Sequence, residues 1–123
     1  MIRGLGCDLC AISRMERILS DGRFLARYFT ENERNYILGR VHSAQTAAGI
    51  FAAKEAFLKA IGTGLGGIAL ADIEIGHTAL GAPEYILNEN TCAVLGKINA
   101  RHAFLSISHD GDYAMATAVL EGD

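Results

Sequence analysis

The sequence predicts an α+β fold, with helices packed on antiparallel β-hairpins in one domain that spans residues 1–123. The first observation behind this prediction is the order of the expected elements: strand, three helices, hairpin, helix, hairpin. Helices and hairpins that occur in separate groups are typical of α+β proteins. The second observation is size, because 123 residues, of which 50% are hydrophobic, are enough to bury a single core.

The chain begins with an expected strand over residues 2–10, "IRGLGCDLC", followed by an expected helix over residues 11–19. The run from Thr30 to Glu33 has the residue types of a capping box, in which the two side chains bond each other's backbone N–H groups. It therefore predicts a second helix that runs to about Leu38.

A long third helix is expected over residues 44–61, with Ser43 as its N-cap and Gly62 as the glycine that ends it. The glycine-rich run "GTGLGG" at 62–67 then predicts a loop.

The second half of the chain predicts two hairpins separated by a helix. Residues 71–77 and 83–87 are expected strands around a glycine-containing turn, and residues 89–100 are expected to be helical. Residues 102–109 and 113–120 are expected to close the fold as a hairpin across "DGD".

Charge is distributed unevenly along the chain, whose formal net charge is −3. The first sixty residues carry nine Lys/Arg and six Asp/Glu, whereas the rest carry two and eight. Four arginines lie close together near the N-terminus: Arg14, Arg17, Arg23 and Arg27. They predict either a docking surface for an acidic partner or an ordinary solvated helix face. An acidic chain without basic and aromatic residues interleaved does not favour nucleic-acid binding.

The sequence favours a cytoplasmic protein. No apolar run approaches the length of a membrane span, and the N-terminus lacks the apolar segment of a signal peptide. Three cysteines in such a chain are expected to be free thiols instead of a disulfide framework.

Cys7 and Cys10 form a C-x-x-C motif, which raises the alternatives of a zinc or redox site. Their spacing of three sends them to opposite faces of a regular strand, and a zinc site needs about four ligands. We therefore expect both to be small buried residues, and Cys92 to be a core residue of its helix.

Asp8 lies in a strand that otherwise consists of glycine and apolar residues. A carboxylate in such a place is costly to bury unless it is paired, hydrogen-bonded or bound to a metal. The structural alternative is that Asp8 caps the helix that starts at Ala11 or Ile12.

Glu55 and Lys59 are one helical turn apart on the long helix, on the side away from its apolar stripe. The residues around them are small alanines, which indicates that another element approaches closely: Ala48, Ala52 and Ala56. An ordinary Glu–Lys ion pair is the simpler alternative. Lys54 lies near the apolar stripe, and we expect its stem to follow the edge of the core with its ammonium in solvent.

These charged residues are of the types that bind the phosphates of a substrate together with a metal ion. Two carboxylates, Asp8 and Glu55, are the kind of ligand that holds Mg²⁺ together with water and substrate phosphates, and a nearby lysine contacts phosphate. The "GTGLGG" loop is weak evidence, because it follows a helix and faces the end of the helix dipole that disfavours anions.

Three stretches carry a resemblance to a known family: "GLGCDLCAISRMER", "FAAKEAFLKAIGTG", and "SISHD" followed by "YAMATAVLE". Together they resemble the holo-acyl-carrier-protein synthases, the small 4′-phosphopantetheinyl transferases, over nearly the whole chain. The resemblance implies transfer of 4′-phosphopantetheine from coenzyme A to a serine of apo acyl carrier protein, with release of adenosine 3′,5′-bisphosphate. It also implies Mg²⁺ as cofactor and a homotrimer with active sites between subunits.

The resemblance implies roles for individual residues. Asp8 and Glu55 would hold Mg²⁺, and Lys59 would contact the reacting phosphate of coenzyme A. Glu55 and Lys59 are the expected catalytic residues, with Glu55, Lys59 or a water as the base that takes the serine proton. The coenzyme A site would also include Gly62, Thr63, Gly64, Ser108 and His109, the last two near the adenosine 3′-phosphate. The acidic carrier protein would meet Arg14, with Arg17 and Arg23.

Two positions depart from the family pattern. Ile50 stands where relatives often have arginine, and the turn Gly81-Ala82-Pro83 lacks a usual lysine. These departures keep two alternatives open: a module that binds coenzyme A or a carrier protein without turnover, and a zinc or thiol protein. His109 taken alone would be an exposed histidine at a hairpin turn.

Overall fold

The computed structural model describes residues 1–62 and 68–123 and confirms the predicted α+β class. Helices and antiparallel strands follow one another in the expected groups. Their bounds in chain order are β1 (Ile2–Ala11), α1 (Ile12–Ile18), α2 (Gly22–Tyr28), α3 (Glu31–Leu38), α4 (Ser43–Ile61), a 3₁₀ turn (Leu70–Asp72), β2 (Glu74–His77), β3 (Pro83–Ile86), α5 (Glu89–Lys97), β4 (His102–Asp110) and β5 (Tyr113–Glu121). In these described ranges, no helix has the length and apolar character needed to cross a membrane.

The strands form two antiparallel sheets. The larger sheet has the order β1-β5-β4, so that the last strand in the chain lies in the middle, and β2 and β3 pair separately. Its register aligns Asp8 with Ala116 and Ile107, and Cys10 with Ala114 and His109. Because side chains alternate along a strand, these two rows share one face of the sheet.

α4 packs against that face at very short distance. A Cβ atom on Gly6 would lie 2.0 Å from the carbonyl oxygen of Ala56, and one on Gly4 would lie 2.2 Å from that of Ala60. Only glycine on β1 and alanine on α4 allow the strand and the helix backbone to come so close. The close neighbour that the alanines predicted is therefore β1.

α2 is a correction to the sequence analysis, which assigned no element to these residues. Asp21 caps the helix by accepting a hydrogen bond from the Arg23 N–H at 3.0 Å. Seven residues are too few to show a clear helical period, and the Asp-Gly pair at its start resembles a turn. Phe24 and Phe29 attach this segment to Phe51 of α4, with ring centroids 5.8 and 6.3 Å away.

The start of α1 is capped from the β4–β5 turn. Asp112 accepts hydrogen bonds from the Ser13 N–H at 3.0 Å and the Ser13 hydroxyl at 2.7 Å, and its carbonyl accepts from the Ile12 N–H at 2.7 Å. The alternative in which Asp8 caps this helix is therefore wrong. The carboxylate of Asp8 is left for another contact.

The other helix ends agree with the sequence analysis in part. Both hydrogen bonds of the predicted capping box join Thr30 and Glu33. Gly62 ends α4 with a φ of 93°, a value that favours glycine. The N-cap of α4 is His42 and not Ser43, which forms the first residue of the helix.

Candidate active site

Asp8 and Lys59 meet between β1 and α4. The Lys59 ammonium lies 2.7 Å from Asp8 Oδ1 and donates a second hydrogen bond to the Cys7 carbonyl at 3.3 Å. The Asp8 carboxylate is largely covered, with 17% of its side chain exposed, whereas Lys59 is 55% exposed. The site is therefore a carboxylate recessed between strand and helix, with a cation at its entrance.

Glu55 completes this cluster from one turn earlier on α4. Its side chain is half-buried and makes no hydrogen bond within residues 1–62 and 68–123. The hydrogen bond from Lys59 to Asp8 raises the pKa of Lys59, and the negative charges of Asp8 and Glu55 raise it further. Lys59 is thus a cation near neutral pH, whereas Glu55 has free oxygens for a ligand.

The two carboxylates suit a hard divalent cation that keeps most of its own water. Among the described residues, no group of three or more His, Cys, Asp and Glu side chains converges, so a closed zinc site is not formed there. Two carboxylates with an open side are the donor set from which Mg²⁺ is commonly bound.

The thiols have no common site. Cys10 is buried toward α4, and burial raises its pKa, whereas Cys7 is exposed on the opposite face of β1. The predicted divergence of the two is confirmed, but the prediction that Cys7 is buried is wrong. Cys92 is also exposed, so its expected core position is wrong.

Lys54 is another correction. Its side chain is fully buried and forms an ion pair with Glu33 at 2.7 Å, instead of following the edge of the core to solvent. The partner lies on α3, twenty-one positions earlier in the chain, and no local pattern in the sequence indicates that contact.

A groove of about 160 Å³ lies between α4, the β2–β3 turn and β4. Ile50 and Ile107 give it an apolar floor, and His109 lies at its edge with Nε2 3.2 Å from the Gln45 side-chain nitrogen. Gln45 was missed by sequence reasoning, although it stands five residues before Ile50 on the same helix.

The groove also has a stacked pair of rings that the sequence did not reveal. His77 lies on Tyr36 at 4.0 Å between centroids, and Arg40 covers Tyr36 at 5.2 Å. Burial lowers the pKa of His77, and the charge of Arg40 lowers it further. Sequence analysis gave His77 no role, because its partner lies on a different element.

The remaining predicted residues occupy different places. Gly62 is exposed at the end of α4, and its N–H contacts the Lys59 carbonyl at 3.2 Å, whereas Thr63 and Gly64 lie outside the described residues. Ser108 projects from the opposite face of β4 to His109, away from the groove. The arginines predicted to dock a carrier protein are exposed on the first two helices: Arg14, Arg17 and Arg23.

Comparison with known proteins gives a consistent result. Residues 4–118 match the family model of the 4′-phosphopantetheinyl transferase superfamily. The chain is 46% identical to the holo-[acyl-carrier-protein] synthase of Geotalea daltonii, with 98% of this chain and 99% of that protein covered. It is 41% identical to the synthase of Clostridium perfringens, with 100% and 96% covered.

Solved structures agree in fold. A holo-[acyl-carrier-protein] synthase from Neisseria meningitidis has a TM-score of 0.89 at 34% identity, with 98% of this chain and 99% of that chain covered. One from Bacillus anthracis, in complex with CoA (3′,5′-ADP), has a TM-score of 0.81 at 37% identity, with 100% and 99% covered.

Proposed function

The chain belongs to the 4′-phosphopantetheinyl transferase superfamily, and on that premise we propose that it transfers 4′-phosphopantetheine from coenzyme A to a serine of apo acyl carrier protein. The observation that carries the proposal is the Asp8–Lys59 contact with Glu55 one turn away. These residues lie in a chain that matches holo-[acyl-carrier-protein] synthases over almost its full length. We further propose that the reaction depends on Mg²⁺, releases adenosine 3′,5′-bisphosphate and takes place in the cytoplasm.

The proposed reaction is a displacement at the β-phosphorus of coenzyme A. The serine Oγ of the carrier forms a bond to that phosphorus, and the bond from phosphorus to the bridging oxygen breaks. Adenosine 3′,5′-bisphosphate leaves with that oxygen, and the serine proton passes to Glu55 or to a water beside it. Lys59 is protonated, so it stabilises phosphate charge as a cation instead of serving as the base.

Asp8 and Glu55 would hold the metal. Bound Mg²⁺ would neutralise the charge that develops on the pyrophosphate oxygens. The chain's own contribution is the contact of Asp8 with Lys59 between β1 and α4, with Glu55 one helical turn before Lys59. That arrangement would hold the reacting phosphate in line with the attacking serine.

Coenzyme A and the carrier would approach from different sides. We place the adenosine part in the groove beside His109 and the pyrophosphate near Gly62 and Lys59, with Thr63 and Gly64 as further expected contacts. The exposed arginines on α1 and α2 would attract the acidic carrier protein: Arg14, Arg17 and Arg23.

The outer face of the larger sheet supports the proposed homotrimer. Leu5, Val119 and Phe104 are aligned across its three strands, and Leu9 and Met115 form a second apolar row. Four of these five side chains are exposed in the single chain: Leu5, Leu9, Phe104 and Met115. The row between them consists of Cys7, Thr117 and Ser106, so large apolar side chains lie on both sides of a small and mostly polar row. Exposed apolar side chains grouped on one face are typical of a protein–protein interface, and we propose that copies of this chain cover this face.

The test is a mass spectrum of apo acyl carrier protein after incubation with the protein, coenzyme A and Mg²⁺, with a parallel sample in EDTA. We expect the mass of one phosphopantetheine to be added only in the sample with metal. Binding of coenzyme A without any mass gain would instead support the non-catalytic module. Ile50 favours that second candidate, because it places an apolar side chain in the groove where relatives often have arginine.

Glu55→Gln is expected to abolish transfer while leaving the fold intact, because the amide neither binds a divalent cation well nor accepts the serine proton. The measurement is the initial rate of mass gain, with circular dichroism to check the fold. Glu31→Gln, which alters an exposed carboxylate on α3, is the matched control and should retain full activity. Full activity in Glu55→Gln would show that the assignment of Glu55 is wrong.

A further inference from the structure

A buried ion pair lies at the centre of the molecule, on the side of α4 away from Asp8. Lys54 and Glu33 have no exposed side-chain surface, and Lys54 Nζ lies 2.7 Å from Glu33 Oε1. The ammonium also donates to the carbonyls of Leu70 at 3.0 Å and Ile73 at 2.6 Å. Each of its three N–H groups therefore has an acceptor.

Glu33 extends the same cluster to β2. Its Oε1 accepts a hydrogen bond from the Thr30 N–H at 2.8 Å, and its Oε2 accepts one from the Ile75 N–H at 2.7 Å. Burial lowers the pKa of Lys54, which Glu33 raises in turn. A buried ion pair seldom contributes more stability than apolar residues of similar size. The hydrogen bonds of the pair instead fix the positions of the backbone groups that it contacts, at Thr30, Leu70, Ile73 and Ile75.

Tyr85 adds a contact from the other strand of the hairpin. Tyr85 is paired with Ile75 in the register of β2 and β3, and its hydroxyl donates to the Ala53 carbonyl at 2.7 Å. Burial raises the pKa of Tyr85, so that it remains a hydroxyl. Tyr85 of β3 is thus hydrogen-bonded directly to Ala53 of α4. Ile75 of β2 is linked through Glu33 to Lys54, the next residue of α4.

The hairpin that these contacts hold is one wall of the groove. His77, two residues beyond Ile75, and Pro83 line the groove on this side, and α4 lines it with Ile50. The width of the groove therefore depends on where the hairpin lies relative to α4.

We infer that Glu33, Lys54 and Tyr85 are positioning residues, which hold the β2–β3 hairpin at a fixed distance from α4 and so set the width of the groove for the nucleotide end of coenzyme A. The inference rests on the proposed function, which places that part of coenzyme A in the groove. The three residues do not touch the reacting atoms. Their loss should therefore affect binding of the nucleotide more than the rate of the chemical step.

The test compares Lys54→Met and Tyr85→Phe with the unaltered protein, well below their melting temperatures. Glu33→Gln/Lys54→Met is included because it removes both charges, in case a single unpaired charge prevents folding. Titration calorimetry gives the Kd of coenzyme A and of adenosine 3′,5′-bisphosphate, and mass spectrometry gives kcat. Val94→Ala is the control, because it weakens the core from α5, which forms neither wall of the groove.

We expect Lys54→Met, or the double variant, to bind both ligands about tenfold more weakly, a difference of about 1.4 kcal/mol. The kcat at saturating coenzyme A should remain within about twofold of the unaltered value, and Tyr85→Phe should show a smaller change in the same direction. Val94→Ala should leave both Kd values unchanged.

Folded variants with an unchanged Kd would overturn the inference, as would weaker binding of coenzyme A without weaker binding of adenosine 3′,5′-bisphosphate. If kcat fell and both Kd values stayed the same, the residues would act on the chemistry instead. An unaltered protein that neither binds nor transfers would refute the proposed function and this inference together. An active protein with unaffected variants would refute the inference alone.

Discussion

Among the single residues, Lys59 has its ammonium beside Asp8, at the position where the proposed metal ion would bind. The ammonium is hydrogen-bonded to Asp8 Oδ1, so a divalent cation that binds Asp8 has to displace it or share the carboxylate with it. Lys59 would then be released toward the phosphate as the metal binds. The same residue would serve as a counter-ion in the free protein and as a phosphate contact in the complex.

Lys59→Met is therefore expected to bind divalent cations more tightly and to transfer phosphopantetheine far more slowly. The gain in affinity should be severalfold, because the Lys59 ammonium is exposed to solvent and ion pairs with an exposed partner are weak. Binding of Mn²⁺, followed by electron paramagnetic resonance, measures the affinity independently of activity. Arg14→Met removes a nearby charge that does not touch Asp8 and should change Mn²⁺ binding little. Equal changes of Mn²⁺ affinity in Lys59→Met and Arg14→Met would contradict the expected competition between Lys59 and the metal ion for Asp8.

The sequence indicates which charged residues of α4 are unusual, but not what each of them contacts. Helical spacing correctly places Glu55 and Lys59 one turn apart on α4, and Asp8, the isolated carboxylate in β1, is the group that Lys59 contacts. Lys54 and Lys59 are the same residue type five positions apart, yet one is buried on Glu33 and the other is exposed on Asp8. Both partners come from distant parts of the chain, and only the folded arrangement of helices and strands reveals them.

At the scale of elements, the contact between β1 and α4 positions the site. Asp8 is the next residue after Gly6 on the face of β1 that meets the helix. The distance between Asp8 and Lys59 therefore depends on the absence of a side chain at Gly6.

Gly6→Ala should destabilise the protein by about 3 kcal/mol, because the new Cβ would overlap the helix backbone and force the strand away. Thermal unfolding should show a melting temperature lower by about 10 °C. Gly96→Ala is the control, since a Cβ there meets nothing within 4 Å and alanine favours the helix. An unchanged melting temperature for Gly6→Ala would show that the strand and helix are less tightly packed than described.

Element prediction succeeded where the local signal was strong. The capping box of α3, the glycine that ends α4 and the Asp-Gly turn between β4 and β5 each have a defined local geometry. α2 was missed because its seven residues lie against Phe51 and gain their order from that packing instead of from their own period. The hydrogen bonds that satisfy the first N–H groups of α1 come from Asp112, about a hundred residues away, and no local motif can predict them.

At the scale of the whole molecule, the apolar outer face of the larger sheet determines the expected assembly. Phe104→Glu places a charge on this face, at the edge strand β4, and should convert the proposed trimer to monomers. Sedimentation equilibrium measures the molecular mass directly. Leu80→Glu, at an exposed turn residue outside the face, should leave the assembly intact. A monomer before any substitution, or a trimer after Phe104→Glu, would contradict the proposed interface.

The position of β5 in the middle of the larger sheet has a consequence for synthesis on the ribosome. Within residues 1–62 and 68–123, β1 and β4 pair with β5 alone, and β5 is synthesised after both, so neither strand can complete its hydrogen bonds until β5 has left the exit tunnel. The helices can form earlier, but the face of α4 that carries Glu55 and Lys59 packs on β1, and β1 is paired only after β5 has been made. Folding of the end that carries Asp8 and Lys59 is thus expected to follow the synthesis of β5, and a nascent chain that lacks β5 should be sensitive to protease.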